Sequence, residues 1–126
     1  MECLCLYIES LYSGGIMIGA NIKRGSAELA VLSVLEAGPL HGYEIARRIE
    51  RNTRDALRFT LASLYPLLYR MEARGWLKAA WSEIGDARAR RCYRLTAAGR
   101  KKLAPLRKEW NELFRALGRL AEAHHA

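Results

Sequence analysis

From Thr60 to Arg74, the residues Leu61, Leu64, Leu68 and Met71 recur three and four positions apart. That spacing puts them on one face of a helix and turns the face toward a core. At about 100° per residue the opposite face carries Ala62, Ser63, Pro66, Tyr69 and Arg70, with Tyr65 on the flank. Pro66 has no amide to bond the carbonyl of Ala62, so the helix is expected to begin between Thr60 and Ser63. Gly75 stands where a left-handed C-cap is expected. Upstream, Ser26 is expected to cap a first helix containing Glu28, Leu29, Val31, Leu32, Val34 and Leu35, with Glu28 at the positive end of its dipole. That segment is apolar nearly all round and is therefore expected to be buried. Gly38 and Pro39 stop it, and a second helix starting near His41 and Gly42 sets Ile45, Ala46 and Ile49 on one face and Arg47, Arg48 and Arg51 off it.

Beyond Gly75 the period changes from helical to alternating. Leu77, Ala79 and Trp81 alternate with Lys78 and Ala80, and Tyr93 and Leu95 alternate with Cys92 and Arg94, which predicts two strands of a hairpin with Gly85 and Asp86 in its turn. Thr96 can cap a last helix in which Leu103, Leu106, Trp110, Leu113, Leu117 and Leu120 form an a/d heptad seam. Such a helix is about 40 Å long, more than a small domain can cover, so the seam is expected to pack on a second subunit. Pro105 removes one helical bond and predicts a kink, after which the partner contact would begin. The expected fold is thus mainly α with a small β-hairpin wing: a winged helix-turn-helix over 21–96 and a dimerisation helix over 97–126.

With 126 residues the chain allows one small core. Its formal charge of +8 favours polyanionic partners, because lysines and arginines that neutralise phosphates release condensed counterions. Placement decides whether that charge is more than a solvated surface. Arg88, Arg90 and Arg91 cluster on the wing beside the third helix, where they can follow a phosphate backbone or enter the minor groove. Small and polar residues on the outer face of the third helix suit insertion into a major groove.

Ser63 and Arg70 are accordingly expected at base edges. Lys23, His41, Tyr43, Tyr65, Pro66, Tyr69 and the wing arginines are expected along the rest of the duplex contact, chiefly at phosphates. The plain alternative is a solvated helix face on a dimeric interaction module that never engages DNA.

Three cysteines, Cys3, Cys5 and Cys92, are an odd number without an export signal, which points to free thiols in a reducing, cytoplasmic compartment. Cys3 and Cys5 with His124 and His125 match no structural zinc pattern, so no metal or other cofactor is expected. Residues 1–16 are apolar but carry Glu2 and Glu9, lack a basic start and are too short to span a bilayer. Met17 resembles a natural start, so 1–20 read as an extension upstream of the domain. No carboxylate pair, nucleophile and base, or phosphate-binding glycine loop is visible, and an enzyme is not expected.

With these residues in place the chain resembles the PadR-like family of transcriptional regulators over roughly 21–121. The carriers are GPLHGYEIARRIE (Gly38 to Glu50), SLYPLLYRMEARGWL (Ser63 to Leu77), Trp81 and RRCYRLTAAGRKKL (Arg90 to Leu103). The resemblance implies a cytoplasmic, usually repressing, homodimer on inverted-repeat DNA, with the C-terminal helix as the dimerisation element, as in the smaller subfamily with one such helix. It also implies an aromatic effector at the dimer interface in some members, for which Trp110 is the candidate wall. Two positions depart from the family pattern: Ala62 stands where a glycine is frequent, and Cys92 replaces the first residue of a Tyr-Tyr pair. Cys92 therefore invites a redox-sensor reading beside the plainer one of a strand residue.

Overall fold

The computed structural model describes residues 20–82 and 90–123. In chain order they form α1 (Ala20–Leu35), β1 (Leu40–His41), α2 (Gly42–Asn52), α3 (Leu61–Ala73), β2 (Leu77–Ser82), β3 (Arg90–Leu95) and α4 (Ala97–Ala123). Three helices pack around one core, a small antiparallel sheet closes one side, and α4 leaves the domain. The expected extension before Ala20, the hairpin turn with Arg88, and the histidines at the end lie outside the described residues, as does the side chain of Lys23.

The core is built from every element except the far half of α4. Val31, Leu32 and Leu35 of α1, Ile45 and Ile49 of α2, Leu64, Leu68 and Met71 of α3, and Tyr93 of β3 are its fully buried members. Each such side chain contributes roughly 1.5–3 kcal/mol by leaving water. Two expectations for the helices need correction. α1 begins at Ala20, so Ser26 is an interior helix residue and not its cap. Glu28 consequently sits away from the positive helix end and accepts a 2.6 Å hydrogen bond from Arg74 at the end of α3.

On α3, Leu67 joins the core while Leu61 is exposed. Leu61 is the first helical residue, and it lies roughly 70° from the centre of the buried face at 100° per residue. Leu57, in the connection before α3, is buried as well. Thr53 holds that connection: its hydroxyl donates to the Ile49 carbonyl at 2.8 Å and accepts from the Leu57 amide at 3.1 Å.

Both ends of α3 and the start of α4 follow the sequence. Thr60 caps α3, its hydroxyl accepting from the Ser63 amide at 3.2 Å. At the other end Gly75 takes φ +81°, its amide reaching the Glu72 carbonyl and that of Trp76 the Met71 carbonyl. This pair of bonds is a Schellman motif, which needs a residue free to adopt the left-handed conformation. Thr96 caps α4 by accepting from the Gly99 amide at 3.0 Å, and its hydroxyl also donates to the Gly75 carbonyl. One threonine thus ties the end of α3 to the start of α4.

The sheet has three strands in the order β1-β3-β2, one more than the expected hairpin. β1 pairs with β3 through Leu40↔Tyr93 and His41↔Cys92. Two residues are too short a run to show alternation in sequence. β2 pairs with β3 from Leu77↔Leu95 to Ser82↔Arg90. Burial follows the alternation along Leu77 and Ala79 and stops at Trp81, which is 71% exposed where the wing passes beyond the core.

The tail helix does two jobs. Leu103, expected in the seam between subunits, is 2% exposed and belongs to the subunit's own core, and Leu106 packs against it. Leu103 is corrected to an intrasubunit contact, and Leu106 is partly covered by the same core: α4 leaves the domain only after passing over α1. Arg107 fixes that passage with hydrogen bonds of 3.1 and 2.8 Å to Glu36, which hold the Glu36 carboxyl below its ordinary value. α4 is one helix from Ala97 to Ala123 with Pro105 inside it. Among the described residues no helix is long and apolar enough to cross a membrane.

Gly99 marks the tightest approach in this joint, since a methyl group there would drive into the backbone carbonyl of Trp76. Gly99→Ala should therefore cost about 1–3 kcal/mol, measured by urea unfolding as a lower midpoint at unchanged slope.

Candidate nucleic-acid interface

With Leu64, Leu67 and Leu68 turned inward, α3 offers Ala62, Pro66, Tyr69 and Arg70 to solvent, and Tyr69 is 50% exposed. Ser63 is half-buried. Its hydroxyl donates to the Thr60 carbonyl at 3.0 Å and accepts from the Thr60 hydroxyl at 3.1 Å, so it serves the helix cap as well as the outer face. Arg70 has neither an ion pair nor a side-chain hydrogen bond among the described residues. Its guanidinium keeps a full set of donors in the fork that suits a guanine edge.

Beside α3 a groove of about 600 Å³ runs between the start of α2 and the wing; its walls include Tyr43, Tyr65, Tyr69, Trp81 and Tyr93. Parity explains the composition. Arg91 shares its strand face with Tyr93 and Leu95, and Trp81 is paired with Arg91 across the ladder. Tyr65, Tyr69 and Glu72 follow one flank of α3 at helical spacing. Two buried polar atoms on residues lining this groove have no hydrogen-bond partner among the described residues: the Tyr93 hydroxyl and His41 Nδ1. Burial raises the Tyr93 phenol above its ordinary pKa, so it stays a hydrogen-bond donor at neutral pH.

His41 closes the start of α2, its amide donating to Glu44 Oε1 at 3.3 Å while Glu44 lies 3.8 Å from Nε2. Gly42 follows because there is no room for more: a Cβ would come within 2.7 Å of the Tyr65 ring. Tyr65 is thus a packing residue at the α2–α3 joint whose ring also faces the groove. On the outer side of α2, Arg47 donates to the Tyr43 hydroxyl at 3.0 Å. With Arg48 and Arg51 these residues form a basic shelf.

The wing arginines differ from one another. Arg90 is exposed at the groove edge, while Arg88 falls outside the described residues. Arg91, expected at phosphate, instead donates from Nη2 to both Glu72 oxygens at 2.9 Å. Its guanidinium lies 5.4 Å from the Tyr69 ring and 5.8 Å from that of Tyr93. Sequence reading missed Glu72, although its position three residues after Tyr69 and the parity of Arg91 together carried the signal.

Cys92 faces the other way. Burial and the Glu44 charge both push its thiol up, which disfavours the thiolate a redox sensor needs. Among the described residues no group of three or more histidines, cysteines or carboxylates could hold a metal.

An exposed helix flank, a basic wing and a trailing helix on a helix-turn-helix core define a winged-helix transcriptional regulator. The profile of the transcriptional regulator PadR-like family matches residues 31–105, and the chain belongs to that family. It is a DNA-binding regulator and not an enzyme. The chain is 34% identical over 95 residues to the transcriptional regulator Rv3488 of Mycobacterium tuberculosis, covering 75% of this chain and 85% of that one.

Among solved structures it is similar to a transcriptional regulator from Clostridium thermocellum, with TM-score 0.73, 27% identity, and coverage of 79% of this chain and 97% of that one. It is also similar to a PadR family regulator from Eggerthella lenta, with TM-score 0.70, 29% identity, and coverage of 81% and 87%. Bacillus subtilis PadR, crystallised with operator DNA, shares the fold at TM-score 0.58 and 22% identity, over 64% of this chain and 44% of that one.

Proposed function

We propose that this chain is a repressor that binds an inverted-repeat operator as a symmetric homodimer, with α3 of each subunit in successive major grooves. The observation that carries the reading is the outer face of α3, where exposed Arg70 has no partner among the described residues and stands beside small side chains. In this reading Arg70 and Ser63 meet base edges. Tyr43, Arg47, Arg48 and Arg51 lie along one phosphate strand, and Arg90 with the wing follows the other side. Lys23 and Arg88 are assigned to phosphate on sequence grounds alone.

The dimer is supported by the far half of α4. There Leu113, Phe114, Leu117 and Leu120 are exposed, at 43, 54, 52 and 73%, along a helix that has already met its own core. A stripe of that size on a small domain finds its partner in a second subunit. Trp110, half-buried and 5.7 Å from the Phe114 ring, begins the stripe. Two such pairs across a two-fold axis would form a slot for a flat aromatic effector, whose binding would release the operator.

Selection of bound sequences from a random duplex library tests the whole reading. The expected product is a palindrome with half-sites about 10 base pairs apart or a multiple of that, and an asymmetric single site would refute the symmetric dimer. On that operator Arg70→Ala should cost about 1–3 kcal/mol and relax preference at one base pair per half-site, whereas uniform loss at every position would remove Arg70 from the base edges.

Leu117→Asp should turn a dimer into a folded monomer by sedimentation equilibrium while the thermal melt of the domain persists. Finally, Trp110 emission should respond to aromatic compounds that release DNA, in a Trp76→Phe/Trp81→Phe background. A silent Trp110 beside intact DNA binding returns that ring to plain packing.

A further inference from the structure

Arg91 is a wing arginine whose guanidinium is met by a described carboxylate. Glu72 takes two hydrogen bonds from it, and the rings of Tyr69 and Tyr93 stand over the same guanidinium. The Arg91 and Glu72 side chains are 33 and 29% exposed, so the pair is half-sheltered and its partners lie within reach of the DNA-facing surface. Tyr69, on the outer flank of α3, is thereby tied through Arg91 to the start of β3.

Resting on the DNA reading above, we propose that Glu72 is a specificity-determining positioning residue. By holding Arg91 it withholds one cation per subunit from sequence-blind phosphate contact and fixes Tyr69 and the wing against α3.

The physical basis is an asymmetry between two kinds of contact. A free arginine beside the duplex adds affinity for every sequence alike, because counterion release does not depend on the bases. An arginine neutralised by a carboxylate adds none, and its rigidity instead sets how the neighbouring reading surface is presented. Discrimination is a difference between affinities, so removing an indiscriminate attraction widens it.

The test measures duplex binding by fluorescence anisotropy between 50 and 200 mM NaCl for the full chain. The probes are an operator from the random-library selection and an arbitrary duplex of equal length. In Glu72→Gln the slope of log affinity against log salt on the arbitrary duplex should steepen by about 0.9 for each Arg91 released. Low-salt affinity for that duplex should rise, and the preference for operator should shrink. The double variant Glu72→Gln/Arg91→Gln should return the slope to the wild-type value, a reversal that general loosening of the fold would not give.

Arg91→Gln alone should leave the slope unchanged, which keeps the proposal testable if Glu72→Gln fails to melt cooperatively. An unchanged slope in folded Glu72→Gln, a steep slope persisting in the double variant, or a slope already reduced in Arg91→Gln overturns it. A wild-type chain without salt-dependent binding to any duplex overturns the DNA reading and this proposal with it.

Discussion

The burial of Leu64, Leu67, Leu68 and Met71 along one face of α3 is the constraint on which the rest depends. A helix has a fixed angle between successive side chains, so once four of them are committed to the core, the direction of every other residue follows. Tyr65 and Glu72 must then lean toward the sheet, Arg70 must lean away from it, and Ala62 and Pro66 must form the crest. The wing docks against the flank that results. Its own alternation sends Tyr93 and Arg91 to the same side, one into the core and the other onto Glu72. The outer surface is therefore a consequence of inner packing, and a change in the leucines would re-aim the arginines.

Where the sequence was most legible, a long period or a strong local chemistry spoke alone. The steps of α3 from Leu64 to Leu68 and Met71, the threonines at its start and before α4, and Gly75 at its end all depend on near neighbours, and each stands where the spacing puts it, whereas Leu61 at the first turn does not. What could not be read depended on contacts distant in sequence. β1 exists because Leu40 and His41 meet Tyr93 and Cys92, some fifty residues later. Glu28 reads as a helix-start residue because nothing nearby announces Arg74, whereas the helix already runs from Ala20.

Arg91 shows the same limit at the candidate interface. Three arginines close together look like one electrostatic patch when only their number is considered. Geometry separates the two that are described, because Arg91 sits on the inward face of β3 while Arg90 sits on the other. Counting charge is thus a guide to the partner and a poor guide to the individual contact. Ser63 offers a parallel case: its place on the outer face is as expected, yet its hydroxyl already serves Thr60. A residue on the right face can still have prior engagements.

The tail helix carries the argument between subunit and assembly. Its heptad spacing is continuous from Leu103 to Leu120, and a repeat of that kind reads in sequence as a single seam. In the folded chain the seam is divided: Leu103 and Leu106 close the domain's own core, the ion pair between Arg107 and Glu36 ends that contact, and the apolar stripe resumes beyond it without cover. The division gives the helix a rigid root. Any partner held by Leu113, Leu117 and Leu120 is then held at a direction set by the core, so the position of one α3 relative to its twin would be fixed by the same packing that orients α3 within its own subunit. Reading two half-sites at a defined spacing needs that rigidity more than it needs a large interface.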